Sequence, residues 1–109
     1  MDPIDQVDLV KRYLRGQNLE QLGRVDEAIA EYEAAVAEAF DSPGPYDRLI
    51  ALYGAKRQHQ EVIRVADSAV AQVHTYDAKR DWYRKVRDEA AQAATSVPRS
   101  VPRAVPPRS

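Results

Sequence analysis

Apolar residues recur along this chain at helical intervals, in blocks separated by a few turn signals. Val25, Ala28, Ile29, Tyr32, Ala35, Val36 and Ala39 fall at i, i+3, i+4 and i+7. They make one stripe, with Glu27, Glu31, Glu33 and Glu38 elsewhere on the surface. Tyr46, Leu49, Ile50 and Tyr53 make a second stripe, and Val62, Val65, Ala66, Ala69, Val70 and Val73 a third. A first helix is expected over about residues 3–22, with Ile4, Val7, Val10, Leu14 and Leu22 on a broad apolar face and Leu9 and Tyr13 pointing elsewhere. A last, highly charged helix is expected over about 77–94. Its anchors are Trp82, Tyr83 and Val86, and Asp81–Lys85 and Arg84–Asp88 are i, i+4 pairs on a wet face. Asp2-Pro3, Gly23, the loop at 41–45 with Ser42 as a helix cap, and breaks near 57–59 and 75–77 punctuate these blocks. Nothing reads as a strand. The pattern predicts an all-α chain of five helices whose short turns make neighbours antiparallel.

Shifting the chain by 34 residues places Ala28 on Val62, Ile29 on Ile63, Ala35 on Ala69, Val36 on Val70, Leu19 on Tyr53 and Gly16 on Ile50. A helix–turn–helix unit of that period resembles the tetratricopeptide (TPR) repeat. The segment GQNLEQLGRVDEAIAEYEAAV is similar to the second half of its pattern. Gly16 is the small residue where two helices cross, Leu19 the large apolar residue after it and Leu22-Gly23 the turn. Tyr32 and Ala35 pack back on the first helix. PYDRLIALYGAKRQHQEVIRVADSAV looks like a second copy, with Tyr46, Leu49, Tyr53 and Ala69 in matching places. The match covers about residues 10–75 and departs from the pattern at Arg12, Arg15, Arg57, Val62 and Ala66. The resemblance implies a TPR-like right-handed superhelix of about two repeats plus a C-terminal capping helix, occupying 1–94. A Pro/Arg-rich tail, 95–109, is expected to be disordered and partly polyproline II.

Charge refines this picture without redirecting it. The net charge is −1 over 109 residues, which leaves no whole-chain footprint for nucleic acid or an anionic membrane. Residues 1–45 nevertheless sum to −6 and residues 46–109 to +5. There are no cysteines, which excludes disulfides, thiolate metal sites and a cysteine nucleophile. No secretory signal or membrane-length apolar run occurs, so a cytoplasmic location is expected.

No catalytic constellation is legible. His59 and His74 are expected at opposite ends of one helix, about 20 Å apart at ~1.5 Å per residue, too far to share a metal. No P-loop, G-x-S-x-G or H-E-x-x-H motif occurs. No enzyme activity, cofactor or metal is expected. The TPR resemblance implies a concave groove lined by the first helix of each pair. In this chain its lining is expected to be Tyr13, Gln17 and Glu20; Asp47, Ala51, Gly54 and Ala55; and Asp81 and Lys85. Gly54 costs about 0.5–1 kcal/mol relative to alanine inside a helix, which fits either a peptide or helix packing closely there or neutral drift on a tolerant surface. Tyr13 and Gln17 stand where one TPR subclass carries its carboxylate-clamp lysine and asparagine, so chaperone-tail binding is not expected.

The expected function is a non-catalytic interaction module that holds a peptide or helix of a partner protein. The alternative is homodimerisation, the acidic half of one copy meeting the basic half of another. Nucleic-acid binding through Lys79, Arg80, Arg84, Lys85, Arg87 and the tail is the least favoured class, and RAVPPR (103–108) only faintly resembles an SH3-type ligand.

Overall fold

The computed structural model describes residues 6–74 and 77–96, and these are all-α. Helices α1 (Gln6–Gln21), α2 (Val25–Ala37), α3 (Pro43–Ala55), α4 (His59–Gln72) and α5 (Asp77–Ser96) follow in order. The expected tail from residue 97 onward, Ile4, and the Asp2-Pro3 start lie outside the described residues.

Contacts fix the directions. Gly16 lies against Tyr32 while Leu9 clusters with Ala35 and Phe40, so α1 and α2 run antiparallel. Arg80 reaches Val70 and Arg87 reaches Asp67, so α4 and α5 are antiparallel too. Tyr13 sits over Gly44 and Glu20 meets Arg48, so α1 and α3 run parallel. Helices α1, α3 and α5 thus lie side by side in one layer, with α2 and α4 behind them. Tyr32, Tyr46, Leu49, Val65, Ala66, Ala69, Val73 and Tyr83 fill the space between.

Burial follows the 34-residue register at five of the six pairs seen in the sequence, Val36 being buried and Val70 half-buried. Ala28 and Val62 are both buried, as are Ala35 and Ala69, and Gly16 and Ile50; Ile29 and Ile63 are both half-buried, as are Leu19 and Tyr53. Three helix ends repeat one device. Gly23, Ala39 and Arg57 take φ of +78°, +58° and +58° just past α1, α2 and α3. The residue after each donates its N–H back to a carbonyl of the last turn: Arg24 to Leu19, Phe40 to Ala35 and Gln58 to Tyr53. Ala39 therefore leaves the α2 stripe in which its spacing placed it, because it turns the chain. Ser42 is the residue before α3, with Pro43 in the first turn, but its side chain makes no capping hydrogen bond.

The first helix presents the face opposite to the one expected. Leu9 is 1% exposed and Tyr13 packs against the core, whereas Val7, Val10, Leu14 and Leu22 are 57%, 42%, 51% and 69% exposed. The reason is Gly16. A Cβ there would stand 2.5 Å from Tyr32 Cε1, so α1 approaches α2 along the line through Gly16. Residues one or two turns away on that line, Leu9 and Tyr13, go inward with it. At the last helix, Tyr83, Val86 and Ala90 are the anchors, while Trp82 is 40% exposed.

Gly16→Ala should destabilise the protein by about 1–3 kcal/mol in urea unfolding, because Tyr32 is enclosed and cannot step aside. Arg57→Gly should stabilise it by about 1 kcal/mol, since a left-handed backbone strains any residue with a Cβ.

Candidate functional site

The layer of α1, α3 and α5 has an open side, away from α2 and α4. On α3 the residues there are small: Ala51, Gly54 and Ala55 are all exposed. A Cβ at Gly54 would meet nothing within 4 Å, so no part of the described chain approaches it. This glycine is not required by any contact within the fold.

The polar residues expected beside that floor are held rather than free. Tyr13 is half-buried, tilted against Tyr32 at 5.9 Å between ring centroids, and its hydroxyl accepts a hydrogen bond from Gln17 Nε2 at 3.0 Å. Glu20 accepts two hydrogen bonds from Arg48, at 2.9 and 2.6 Å, and one from the Tyr32 hydroxyl at 2.6 Å. Asp47 accepts from Lys79 Nζ at 3.0 Å and from the Tyr83 hydroxyl at 2.8 Å. On α5, Asp81 is exposed and pairs with Arg84 at 2.9 Å, three residues on, rather than with Lys85. Asp88 likewise pairs with Arg87, not Arg84. Lys85 is exposed. Tyr13, Gln17, Glu20 and Asp47 therefore form the walls between helices, and Ala51, Gly54, Ala55, Asp81 and Lys85 face solvent.

One motif recurs between neighbouring helices. A core tyrosine hydroxyl and a cation from a neighbouring helix converge on one carboxylate: Tyr32 and Arg48 on Glu20, Tyr53 and Arg64 on Glu33, Tyr83 and Lys79 on Asp47. Lys56–Asp26 and the His74 amide on Asp41 add two further links between the same halves. Glu20, Glu33 and Asp26 of residues 1–45 thus meet Arg48, Arg64 and Lys56 of residues 46–109 within one chain, while Asp47 and Lys79 both lie in the second half. At the outer end of the stack, Arg12 and Arg15 both reach Glu31 on α2, at 3.2 and 3.3 Å. That accounts for two departures from the repeat pattern. Their register mates Tyr46 and Leu49 are buried in the core, whereas Arg12 is half-buried and Arg15 exposed.

Trp82 is the surface residue that sequence reasoning assigned to the core. Its ring lies under Lys79 Nζ at 4.1 Å, and that ammonium also holds Asp47, so Trp82 sits beside α3 on the same layer. The register marks it: 34 and 68 residues earlier stand Arg48 and Leu14, both at the surface of this layer. Among the described residues no cluster of His, Asp or Glu has metal-ligand geometry, and no helix is long and apolar enough to cross a membrane. Tyr46 is enclosed with its hydroxyl unpartnered among the described residues, and burial pushes its pKa up to about 12.

No family model, curated protein or solved structure matches the chain.

The charges in the walls give a pH signature. The Arg48 hydrogen bonds hold the Glu20 carboxyl below the usual range, with the Tyr32 hydroxyl adding to them. A carboxylate with a depressed folded pKa stabilises above its unfolded pKa, and that stability fades as pH falls through the folded value. Burial, then the hydrogen bonds to Glu20, Glu33 and Asp47, push Tyr32, Tyr53 and Tyr83 up. A raised tyrosine stabilises below its ordinary pKa, and that contribution is lost as pH climbs through the shifted one. Melting temperature against pH should therefore show a plateau falling below about pH 4 and above about pH 10. Glu20→Gln should lower the plateau and flatten the acid limb, because Arg48 loses its partner.

Proposed function

We propose that the chain is a TPR-like, non-catalytic interaction module that binds a peptide or helix of a partner protein on the open side of α1, α3 and α5. The two helix layers, the shared 34-residue register of burial and the Gly16–Tyr32 crossing support the TPR-like reading. The observation that carries the function is the floor made by Ala51, Gly54 and Ala55. It is exposed, small and uncharged, lies between walls fixed by hydrogen bonds, and has Trp82 at one side. Small residues admit the backbone of a ligand, fixed polar walls orient it without paying much ordering entropy, and an exposed tryptophan supplies an anchor.

A homodimer mated through opposite charges draws less support. Carboxylates of the acidic half and cations of the basic half that would mate between copies, Glu20 with Arg48, Asp26 with Lys56 and Glu33 with Arg64, already meet inside one chain.

Two substitutions test the groove. Ala51→Arg should abolish partner binding in a pull-down with helicity unchanged, because the residue is exposed. Gly54→Ala should raise the stability of the free protein by about 0.5–1 kcal/mol, yet weaken the partner if a ligand backbone lies there. A partner that binds both variants as well as the parent protein would place recognition on another surface.

A further inference from the structure

The outer end of the stack carries a cationic recess. Lys11, Arg12 and Arg15 are three of the four cations in residues 1–45. With Asp8 they line a cavity of about 250 Å³. At 100° per residue this face of α1 lies opposite Tyr13 and Glu20, the residues that meet α3. Arg12 and Arg15 each donate to the same Glu31 oxygen, at 3.2 and 3.3 Å. Lys11 is exposed and joins no ion pair among the described residues. A guanidinium carries five N–H donors and an ammonium three, so most donors of the recess still point at solvent. Asp8 and Glu31 offset two of the three positive charges.

The internal register shows what such positions do when a helix lies beside them. Lys11 and Arg15 stand two repeat periods, 68 residues, before Lys79 and Tyr83. On α5 those two converge on the Asp47 carboxylate of α3, Lys79 Nζ at 3.0 Å and the Tyr83 hydroxyl at 2.8 Å. One period after Lys11 and Arg15, on α3, stand Pro45 and Leu49, both buried. In α3 and α5, which each have a helix pair before them, the two positions are thus buried or hydrogen-bonded. On α1 both are exposed cations.

We propose that Lys11 and Arg15 hold a side-chain carboxylate of an acidic helix from a partner protein, laid along the outer face of α1 as α3 lies along α5. Lys11 supplies the ammonium that Lys79 supplies to Asp47. Arg15 replaces the Tyr83 hydroxyl with a guanidinium, whose N–H donors form charge-assisted bonds to a carboxylate. Arg12, half-buried and tied to Glu31, forms the floor. An apolar helix would bury these cations unpaired, so the occupant must bring negative charge. Donors four residues apart lie in line with the helix axis, which suits an extended partner helix. Asp8 repels a second acid at the start of α1, which places the carboxylate toward Arg15. None of these residues belongs to the groove, so the proposal does not depend on it.

The test is an NMR titration of the labelled full chain with an alanine-based helical peptide bearing one glutamate per turn on a single face. Its glutamine twin is the control. The glutamate peptide should shift the amides around Lys11 and Arg15, and the glutamine peptide should not. High salt should weaken binding several-fold, because the charges are exposed. Lys11→Gln combined with Arg15→Gln should weaken it at least about tenfold, since two charge-assisted bonds are lost. Circular dichroism should be unchanged, both side chains being exposed. Lys85→Gln on α5 and Ala51→Arg in the groove should leave the titration as it is. Equal binding of both peptides, or indifference to the double substitution, would overturn the proposal. So would loss of binding on Ala51→Arg, which would place the peptide in the groove. Inorganic phosphate moving the same amides as strongly would make the recess a free-anion site and overturn the helix. Tighter binding after Asp2→Asn with Asp5→Asn would make the start of the chain the occupant and overturn the partner.

Discussion

Tyr32 is the residue on which the stack depends. Its ring fills the notch at Gly16, where a single added carbon would lie 2.5 Å from Cε1, and so sets how closely α1 and α2 approach. Its hydroxyl donates to Glu20, and Glu20 also accepts from Arg48 of α3. One side chain thereby couples the spacing of the first helix pair to the position of the third helix. Close packing supplies the attraction, and the hydrogen bonds restrict it to one register. An ion pair with a half-exposed partner adds little net stability, but a misaligned helix would leave Glu20 and the Tyr32 hydroxyl unsatisfied.

The same arrangement recurs at Tyr53–Glu33–Arg64 and Tyr83–Asp47–Lys79, and the Glu20 and Glu33 sets join the acidic first half of the chain to its basic second half. An acidic first half and a basic second half invite an intermolecular reading. In the folded chain they are two sides of one internal seam. The carboxylates come from α1, α2 and the start of α3, and their cations come from the next helix of the same layer.

Where that seam ends, the chain exposes what it does not use internally. On α3 it leaves Ala51, Gly54 and Ala55 exposed. On and just past α1 it leaves Leu14 and Leu22 exposed at positions that hold Arg48 and Lys56 one pair later.

Much of this was readable from residue spacing. Helical periodicity and the positions of Gly23, Ser42 and Pro43 determined five helices to within a few residues, because turn chemistry and amphipathic spacing are local properties. The 34-residue shift determined which positions share an environment. It placed Ala28 with Val62 and Ala35 with Ala69 correctly, because equivalent positions in stacked helix pairs meet equivalent neighbours. That Ala51, Gly54 and Ala55 lie off the apolar stripe of α3, and so are exposed, was legible for the same reason. The inward face of α1 was not, because it carries apolar residues on two sides and periodicity cannot choose between them. Only the contact of Gly16 with Tyr32, sixteen residues away, made the choice. Nor could spacing along one helix show that Glu20 and Asp47 are held in walls, since their cations lie 28 and 32 residues on. Local chemistry determined the elements and their repeat. The packing of side chains across helices decided which face of each element was left exposed.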